Sequence, residues 1–267
     1  MADVSLKTLL DISLDAGREI LDVYEKDFDV ETKADDSPLT EADQRAHQTI
    51  VRGLQEAYPD VPVLSEEGSD VPYEDRKDWQ QFFLVDPLDG TKEFIKKNGE
   101  FTVNIALIED GYPVLGVIYA PALDTFYFGR AELGAFKLES ASAIDVADDD
   151  ALMEASLQLP LVEPGDVVNV VASRSHMSEE TEAFIEGLRD GERDVDVVSA
   201  GSSLKFCLVA EGNADYYPRY APTMEWDTGA GQAVVEASGG QVLRYEDNKR
   251  FYYNRENLTN GWFLVKR

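Results

Sequence analysis

Apolar side chains recur at helical spacing over residues 5 to 26, at Leu6, Leu9, Leu10, Leu14, Ile20, Leu21 and Tyr24, which predicts one long amphipathic helix. The pattern breaks at a Ser-Pro loop between Lys33 and Asp43. Thr40 then offers an N-cap for a second helix that starts near Glu41 and continues through Ala46, Ile50 and Leu54. Short apolar runs bounded by Gly and Pro follow at Val61 to Leu64, Phe82 to Val85, Thr102 to Ile108, Val114 to Tyr119 and Thr125 to Phe128, with Asp110-Gly111 as a turn. They read as strands of one sheet.

Residues 139 to 166 are rich in Ala, Ser, Asp and Glu and show no period, so the boundary between two lobes, 1–145 and 146–267, is placed there. Beyond it strands and helices alternate: Val167 to Ala172, Glu179 to Arg189, Val195 to Val198, Ser203 to Ala210, Tyr216 to Tyr217, Thr228 to Ala237 and Gln241 to Tyr245. That rhythm predicts an α/β lobe behind an α+β one.

Composition narrows the function. The 267 residues are 43% hydrophobic, enough for a sizeable buried core. No run of about 18 apolar residues is present to cross a bilayer, and the first residues lack the layout of a signal peptide, so the expectation is a soluble, cytoplasmic protein. Against 24 Lys and Arg stand 53 Asp and Glu, a balance of −29, which repels nucleic-acid polymers and anionic lipid. The lone Cys207 and only two histidines leave too few ligands for a Cys/His zinc site, so any metal is held by oxygen. Cys207 reads as a buried core thiol, His47 as a surface or helix-contact residue, and Trp79, Trp226 and Trp262 as packing residues, with Tyr216 and Tyr217 close enough to Arg219 to touch a nucleobase.

The chemistry concentrates where an apolar strand ends in Asp86-Pro-Leu-Asp89-Gly-Thr91. A loop at the strand end is expected there: Pro87 removes a donor and bends the chain, Gly90 permits close approach of a ligand, and Asp86, Asp89 and the Leu88 carbonyl converge. Hard oxygen donors of this kind suit Mg²⁺. Glu66 and Glu67 end another apolar strand, and Asp227 opens an Ala-rich helix. In so acidic a chain any single carboxylate is by default a solvated residue. Asp227 also serves a helix N-terminus, and Asp43 completes a capping-box variant with Thr40. Cations are scarce in the second half, and Arg174, Lys205 and Arg219 sit at strand ends or helix starts, where ligands to α/β lobes bind.

The segment Asp86 to Thr91 resembles the signature of the lithium-sensitive, Mg²⁺-dependent phosphatases related to inositol monophosphatase, and Trp226-Asp-Thr-Gly-Ala-Gly231 resembles their second signature. Lys33 to Asp43, Leu64 to Glu67, Asp89 to Ile95, Asn98 to Leu107, Ser173 to His176 and Gly201 to Gly212 are similar to the CysQ-type 3'(2'),5'-bisphosphate nucleotidases of that superfamily. The resemblance implies a layered αβαβα sandwich. It also implies hydrolysis of the 3'-phosphate of adenosine 3',5'-bisphosphate, a small-molecule by-product of sulfate assimilation.

Carried over by position, Glu66, Asp86 and the Leu88 carbonyl hold one Mg²⁺, and Asp86, Asp89 and Asp227 hold a second, a third ion being an open alternative. Asp43 and Thr91 are implied to position and deprotonate the attacking water, with Thr91 donating to Asp43. Gly90 and Thr91 are expected at the scissile phosphate, and the scarcity and placement of cations point to Ser202, Lys205 and Arg219 for the 5'-phosphate, with His176 near the nucleotide. Gly229 departs from the usual Ala, a change that weakens a helix by about 1 kcal/mol. An inositol or fructose-bisphosphate phosphatase on the same scaffold is the nearer rival reading, and a non-catalytic nucleotide sensor the more distant one. Monomer and homodimer both stay open.

Self-repulsion of this size is tolerable where salt shortens the screening length to about 3 Å at 1 M, so a halophilic source is expected. The protein should therefore lose structure, followed by circular dichroism, on transfer to low salt; full stability there removes the expectation.

Overall fold

The computed structural model describes residues 2–26, 30–32, 38–68, 70–172, 178–191 and 193–267. Helix α1, Leu6–Tyr24, forms where the apolar spacing predicts it and begins at Ser5, whose hydroxyl accepts the Thr8 N–H at 3.3 Å. Strands β1 (Val30–Thr32) and β2 (Pro38–Thr40) pair antiparallel, and α2 follows at Glu41–Ala57. The Ser-Pro loop expected across 33–37 lies outside the described residues.

Next come β3 (Val63–Ser65), a 3₁₀ turn (Glu66–Gly68), α3 (Tyr73–Arg76), β4 (Gln81–Asp89), α4 (Thr91–Ile95), β5 (Thr102–Glu109), β6 (Tyr112–Ala120), β7 (Thr125–Arg130) and β8 (Gly134–Glu139). Helix α5 (Asp149–Glu154) and β9 (Leu157–Gln158) follow. Strands β3 to β9 form one seven-stranded sheet in sequence order, parallel only between β3 and β4.

The second sheet is assembled from β10 (Val168–Ala172), β11 (Val195–Ser199), β12 (Tyr216–Arg219), β13 (Gln241–Arg244) and β14 (Phe263–Lys266), in the order β11-β10-β12-β14-β13. Its helices are α6 (Glu179–Arg189), α7 (Leu204–Glu211) and α8 (Gly229–Ala237).

Alternation along the central strands explains the layering. Phe83, Val85, Val103, Ile105 and Leu107 join α1 and α2 in one core. Their neighbours Phe82, Leu84, Ala106 and Ile108 face the other way, into a second core with Phe206, Val234, Tyr217 and Val265. Helices α7 and α8 are therefore sandwiched between the sheets, and α6 covers the outer side of the second sheet through Val168, Val170 and Ile185. The order is αβαβα. Gly229 does more than weaken a helix: a Cβ there would lie 2.9 Å from Leu84 Cδ2 and 3.2 Å from Ala106 Cβ, so glycine lets α8 close onto β4 and β5.

The aperiodic stretch 139–166 acquires a role. It carries α5 and β9, which the sequence reading left without structure, and it brings Asp149 to the start of α1. The Asp149 carboxylate accepts the Ser5 hydroxyl at 2.7 Å and the N–H groups of Leu6 and Lys7 at 3.0 and 2.8 Å, satisfying donors that a helix start leaves open. Burial works to raise this carboxyl's pKa, but the bonds from Ser5, Lys7 and Leu6 prevail and hold it below its usual value of 3.8. A depressed folded pKa stabilises the fold above the unfolded value, and that contribution is lost as pH falls through the folded one. Asp149→Ala should cost about 1–2 kcal/mol in urea unfolding near neutral pH, with a smaller difference in strong acid. Equal midpoints for the two proteins at neutral pH would contradict this capping role.

Candidate active site

A regular strand points residues three apart to opposite faces, so Asp86 and Asp89 converge only if the strand is interrupted. The sequence reading placed them on a loop beyond the strand; the structure keeps both within β4 and inserts a bulge. Asp86 pairs with Asn104 and Asp89 with Thr102, so three steps on β4 match two on β5. The extra residue restores a common face, and Pro87, which lacks a ladder donor, sits inside the irregularity. The Leu88 N–H donates to Asp86 Oδ1 at 3.1 Å, and the Leu88 carbonyl accepts the Thr91 hydroxyl at 3.4 Å. Thr91 thus turns its proton to Leu88 instead of Asp43, and that carbonyl keeps a lone pair for another partner.

Asp227 arrives from a different layer. It ends a 3₁₀ turn, Glu225–Asp227, and α8 begins only at Gly229. The turn is fixed by Glu225, a fully buried carboxylate that accepts the N–H groups of Asn254 and Arg255 and the Arg255 guanidinium at 2.7, 3.0 and 2.8 Å. Asp227 Oδ2 closes it by accepting the Met224 N–H at 2.7 Å. Carboxylate oxygens of Asp86, Asp89 and Asp227 then all lie within 4.8 Å of one another.

Burial first, and then the like charges of Glu66, Asp89, Asp227 and Asp43, push the Asp86 carboxyl well above its usual range. Asp43, on α2, is 1% exposed, and Glu66 is half-buried at the end of β3. Asp89 is also raised by burial, against the opposing pull of Lys205 and Ser203. Burial and the neighbouring Asp89 push Asp227 up to about 8. Three acids converge and two more, Glu66 and Asp43, add like charge at Asp86, an arrangement of oxygen donors that suits a hard cation.

Beside the acids lies a cationic wall. Gly90 has φ 90°, and a Cβ there would meet Glu100 O at 3.0 Å and Ser202 Cβ at 3.2 Å, so the segment 200–203 packs directly against the end of β4. Glu100 accepts the Gly201 N–H at 2.7 Å. Lys205 is 6% exposed and donates to the Ser202 and Ala200 carbonyls at 2.7 and 3.4 Å. Burial lowers its pKa to about 8, which Asp89 opposes and Arg219 reinforces. Ser202 Oγ and Arg219 Nε are buried without a hydrogen-bond partner. The structure thus brings Ser202, Lys205 and Arg219 together next to the acidic cluster. His176 and Arg174 lie outside the described residues.

Sequence reasoning missed Ser203, whose hydroxyl reaches Asp89 Oδ2 at 2.9 Å and the Asp227 carbonyl at 3.2 Å. It sits in the quoted Gly201-Ser-Ser-Leu-Lys run, but only the fold shows which serine faces the acids. His47 is half-buried, with Nδ1 2.9 Å from Ser65 Oγ just before Glu66, in keeping with a helix-contact residue. Cys207 is buried in the central core, as expected. Trp79 packs on Phe82 and Trp262 on Tyr220. The two tyrosines face opposite ways: Tyr217 lies under Lys205, whose Nζ is 5.6 Å from the ring centroid, while Tyr216 packs against Phe184. Among the described residues, no helix is long and apolar enough to cross a membrane.

Fold and site together define a layered αβαβα protein with a cluster of carboxylates, Asp86, Asp89 and Asp227, compatible with a metal site. The inositol monophosphatase family model matches residues 2–262, and the chain belongs to that family. It is 47% identical to the 3'(2'),5'-bisphosphate nucleotidase CysQ of Salmonella typhimurium over 97% of this chain and 98% of the relative. The 3'(2'),5'-bisphosphate nucleotidase CysQ of Escherichia coli K12 matches at the same identity and coverage. Among solved structures, CysQ from Bacteroides thetaiotaomicron superposes with a TM-score of 0.88 at 45% identity, covering 97% of this chain and 96% of the other.

The raised carboxyl pKa values generate a test. A group whose folded pKa is raised contributes stability that is present below its unfolded value and lost as pH rises through the folded one, so the ion-free protein weakens from about pH 4 toward 8. Cation binding needs the ionised form and displaces the retained protons. Calorimetric titration with Mg²⁺ at pH 7, in two buffers of different ionisation enthalpy, should show net proton release and an apparent affinity that falls as pH is lowered. Binding with no proton release would contradict the clustered burial of these acids.

Proposed function

We propose that the chain is a Mg²⁺-dependent 3'(2'),5'-bisphosphate nucleotidase that cleaves the 3'-phosphate of adenosine 3',5'-bisphosphate to give AMP and inorganic phosphate. The observation that carries this reading is the meeting of opposite charges: an acidic cluster suited to cations, with Lys205 acting electrostatically on Asp89 and Arg219 on Asp227, and with Ser202 Oγ and Arg219 Nε still holding unused hydrogen-bonding capacity for a second phosphate. A monophosphate substrate would leave the second site without work. The kinship with the CysQ relatives, near half-identity over almost the whole chain, points the same way.

In this reading Glu66, Asp86 and the Leu88 carbonyl would hold one Mg²⁺, and Asp86, Asp89 and Asp227 the other. Bound there, the ions would supply Lewis-acid stabilisation of charge on the phosphoryl and leaving oxygens and a more acidic water. Asp43, buried and drawn into the electrostatics of Asp86, takes the proton of the attacking water. The Thr91 hydroxyl, anchored as a donor to Leu88, keeps its lone pairs for orienting that water. Gly90 lets the scissile phosphate approach the backbone. Lys205, still largely cationic at pH 7, and the free Arg219 Nε–H and Ser202 hydroxyl hold the 5'-phosphate. The same scaffold could serve inositol phosphates, but that substrate class gives the cationic wall no partner. Lithium inhibition and a halophilic setting belong to the proposal as well.

Two variants test it. Asp89→Asn should lower kcat for adenosine 3',5'-bisphosphate by more than about 100-fold while leaving circular dichroism unchanged. Lys205→Ala should raise KM for the bisphosphate by about 10-fold to 100-fold and leave adenosine 3'-monophosphate nearly unaffected. Equal effects of Lys205→Ala on the two substrates, or faster turnover of inositol 1-phosphate or fructose 1,6-bisphosphate at equal Mg²⁺, would reject the assignment.

A further inference from the structure

Ser203 occupies an unusual mechanical position. Its side chain is 1% exposed, and its one hydroxyl proton is shared between Asp89 Oδ2 at 2.9 Å and the main-chain carbonyl of Asp227 at 3.2 Å. The two acids come from separate layers, one from the bulge of β4 and one from the turn before α8, and Ser203 bonds to both of these segments. It is equally part of the anion-facing loop: Ser202 precedes it, in the left-handed region at φ 44°, and Lys205 follows two residues later, with Nζ returned to the Ser202 carbonyl. The loop has another anchor at Gly201, whose N–H is held by Glu100.

A change in how Asp89 and Asp227 sit is thus transmitted to the Ser202–Lys205 segment by the Ser203 hydroxyl, which bonds to both acids' segments, in addition to the packing of Gly90 on Ser202. A donor shared between two such groups acts as a strut: it favours one separation of Asp89 from the Asp227 backbone, and that same arrangement fixes where the Ser202 hydroxyl and Lys205 point. We infer that Ser203 is a positioning residue that couples cation loading at the acidic cluster to phosphate binding in the neighbouring pocket. The inference rests on the functional reading above for its two ligands. Coupling of this kind is reciprocal, so the nucleotide tightens the cation by the same factor as the cation tightens the nucleotide.

The experiment is calorimetric titration of the full-length protein with Mg²⁺, with and without saturating AMP, after subtraction of the Mg²⁺–AMP heats measured without protein. Nothing in it depends on turnover. In the wild type, AMP should tighten Mg²⁺ by about 5-fold to 100-fold. Ser203→Ala should weaken Mg²⁺ alone by about 10-fold and bring the coupling factor to about one, because the loop keeps its Glu100 anchor but loses the shared hydroxyl. Ser203→Thr, which retains the hydroxyl, should recover coupling; a purely structural role would show as equal loss of thermal stability with coupling intact. A wild-type coupling factor preserved in Ser203→Ala overturns the inference, as does a wild-type factor of one. A wild type that couples AMP to Mg²⁺ but releases no phosphate from adenosine 3',5'-bisphosphate supports the coupling while removing the proposed reaction.

Discussion

Carboxylates taken out of water and set against one another are costly, and this fold accepts that cost at the end of β4. Asp86 is buried beside Asp89 and Asp227, with Asp43 and Glu66 adding like charge from two further segments. Without positive charge the cluster can lower its energy only by retaining protons, which is what its raised pKa values express. Each local device around it serves to hold the acids in this unfavourable company: the bulge that turns β4 back to one face, the buried Glu225 that anchors the turn before α8, and the Ser203 bridge.

The sandwich supplies the rigidity. Helices α7 and α8 are covered by a sheet on each side, so Lys205 in the first turn of α7 and the entering segments that carry Ser203 and Asp227 are positioned by packing on two faces. Polar ties reinforce the same junction. Tyr127 and Lys137 of the first sheet reach the buried Glu211 of α7 at 2.7 and 3.0 Å, an ion pair sheltered from bulk salt. Arg76 spans from α3 to the Asn254 side chain and the Arg255 and Glu256 carbonyls, next to the residues that Glu225 grips. Acidic and cationic walls are thus built from different parts of the chain and locked to one frame.

Much of this could be read from residue order. The period of α1, the start of α2, the strand runs in the first half and the α/β rhythm of the second follow from hydrophobic spacing, and the resemblance to known signatures brought the acids into one site. What stayed hidden depended on partners remote in sequence. Residues 139–166 lack a period because α5 and β9 are short and edge-placed, and because Asp149 works by capping a helix over 140 positions away. Strand β14 escaped notice because Trp262 to Lys266 gives too short an apolar run after a long polar stretch. A bulge cannot be told from a loop by Asp-Pro-Leu-Asp alone; the register against Asn104 and Thr102 decides it. Ser202 and Ser203 are alike as letters, and only the backbone turn at Ser202 sends the second hydroxyl to Asp89.

The central claim is that the acids gathered at the end of β4 and before α8 exist to hold divalent cations in common. Crystals grown with Mn²⁺ and measured at its absorption edge test this most directly. The account predicts anomalous density for two ions, one bounded by Asp86, Asp89 and Asp227 and one by Glu66, Asp86 and the Leu88 carbonyl. Density confined to other acids of this highly charged surface, with these side chains turned to separate faces, would contradict it.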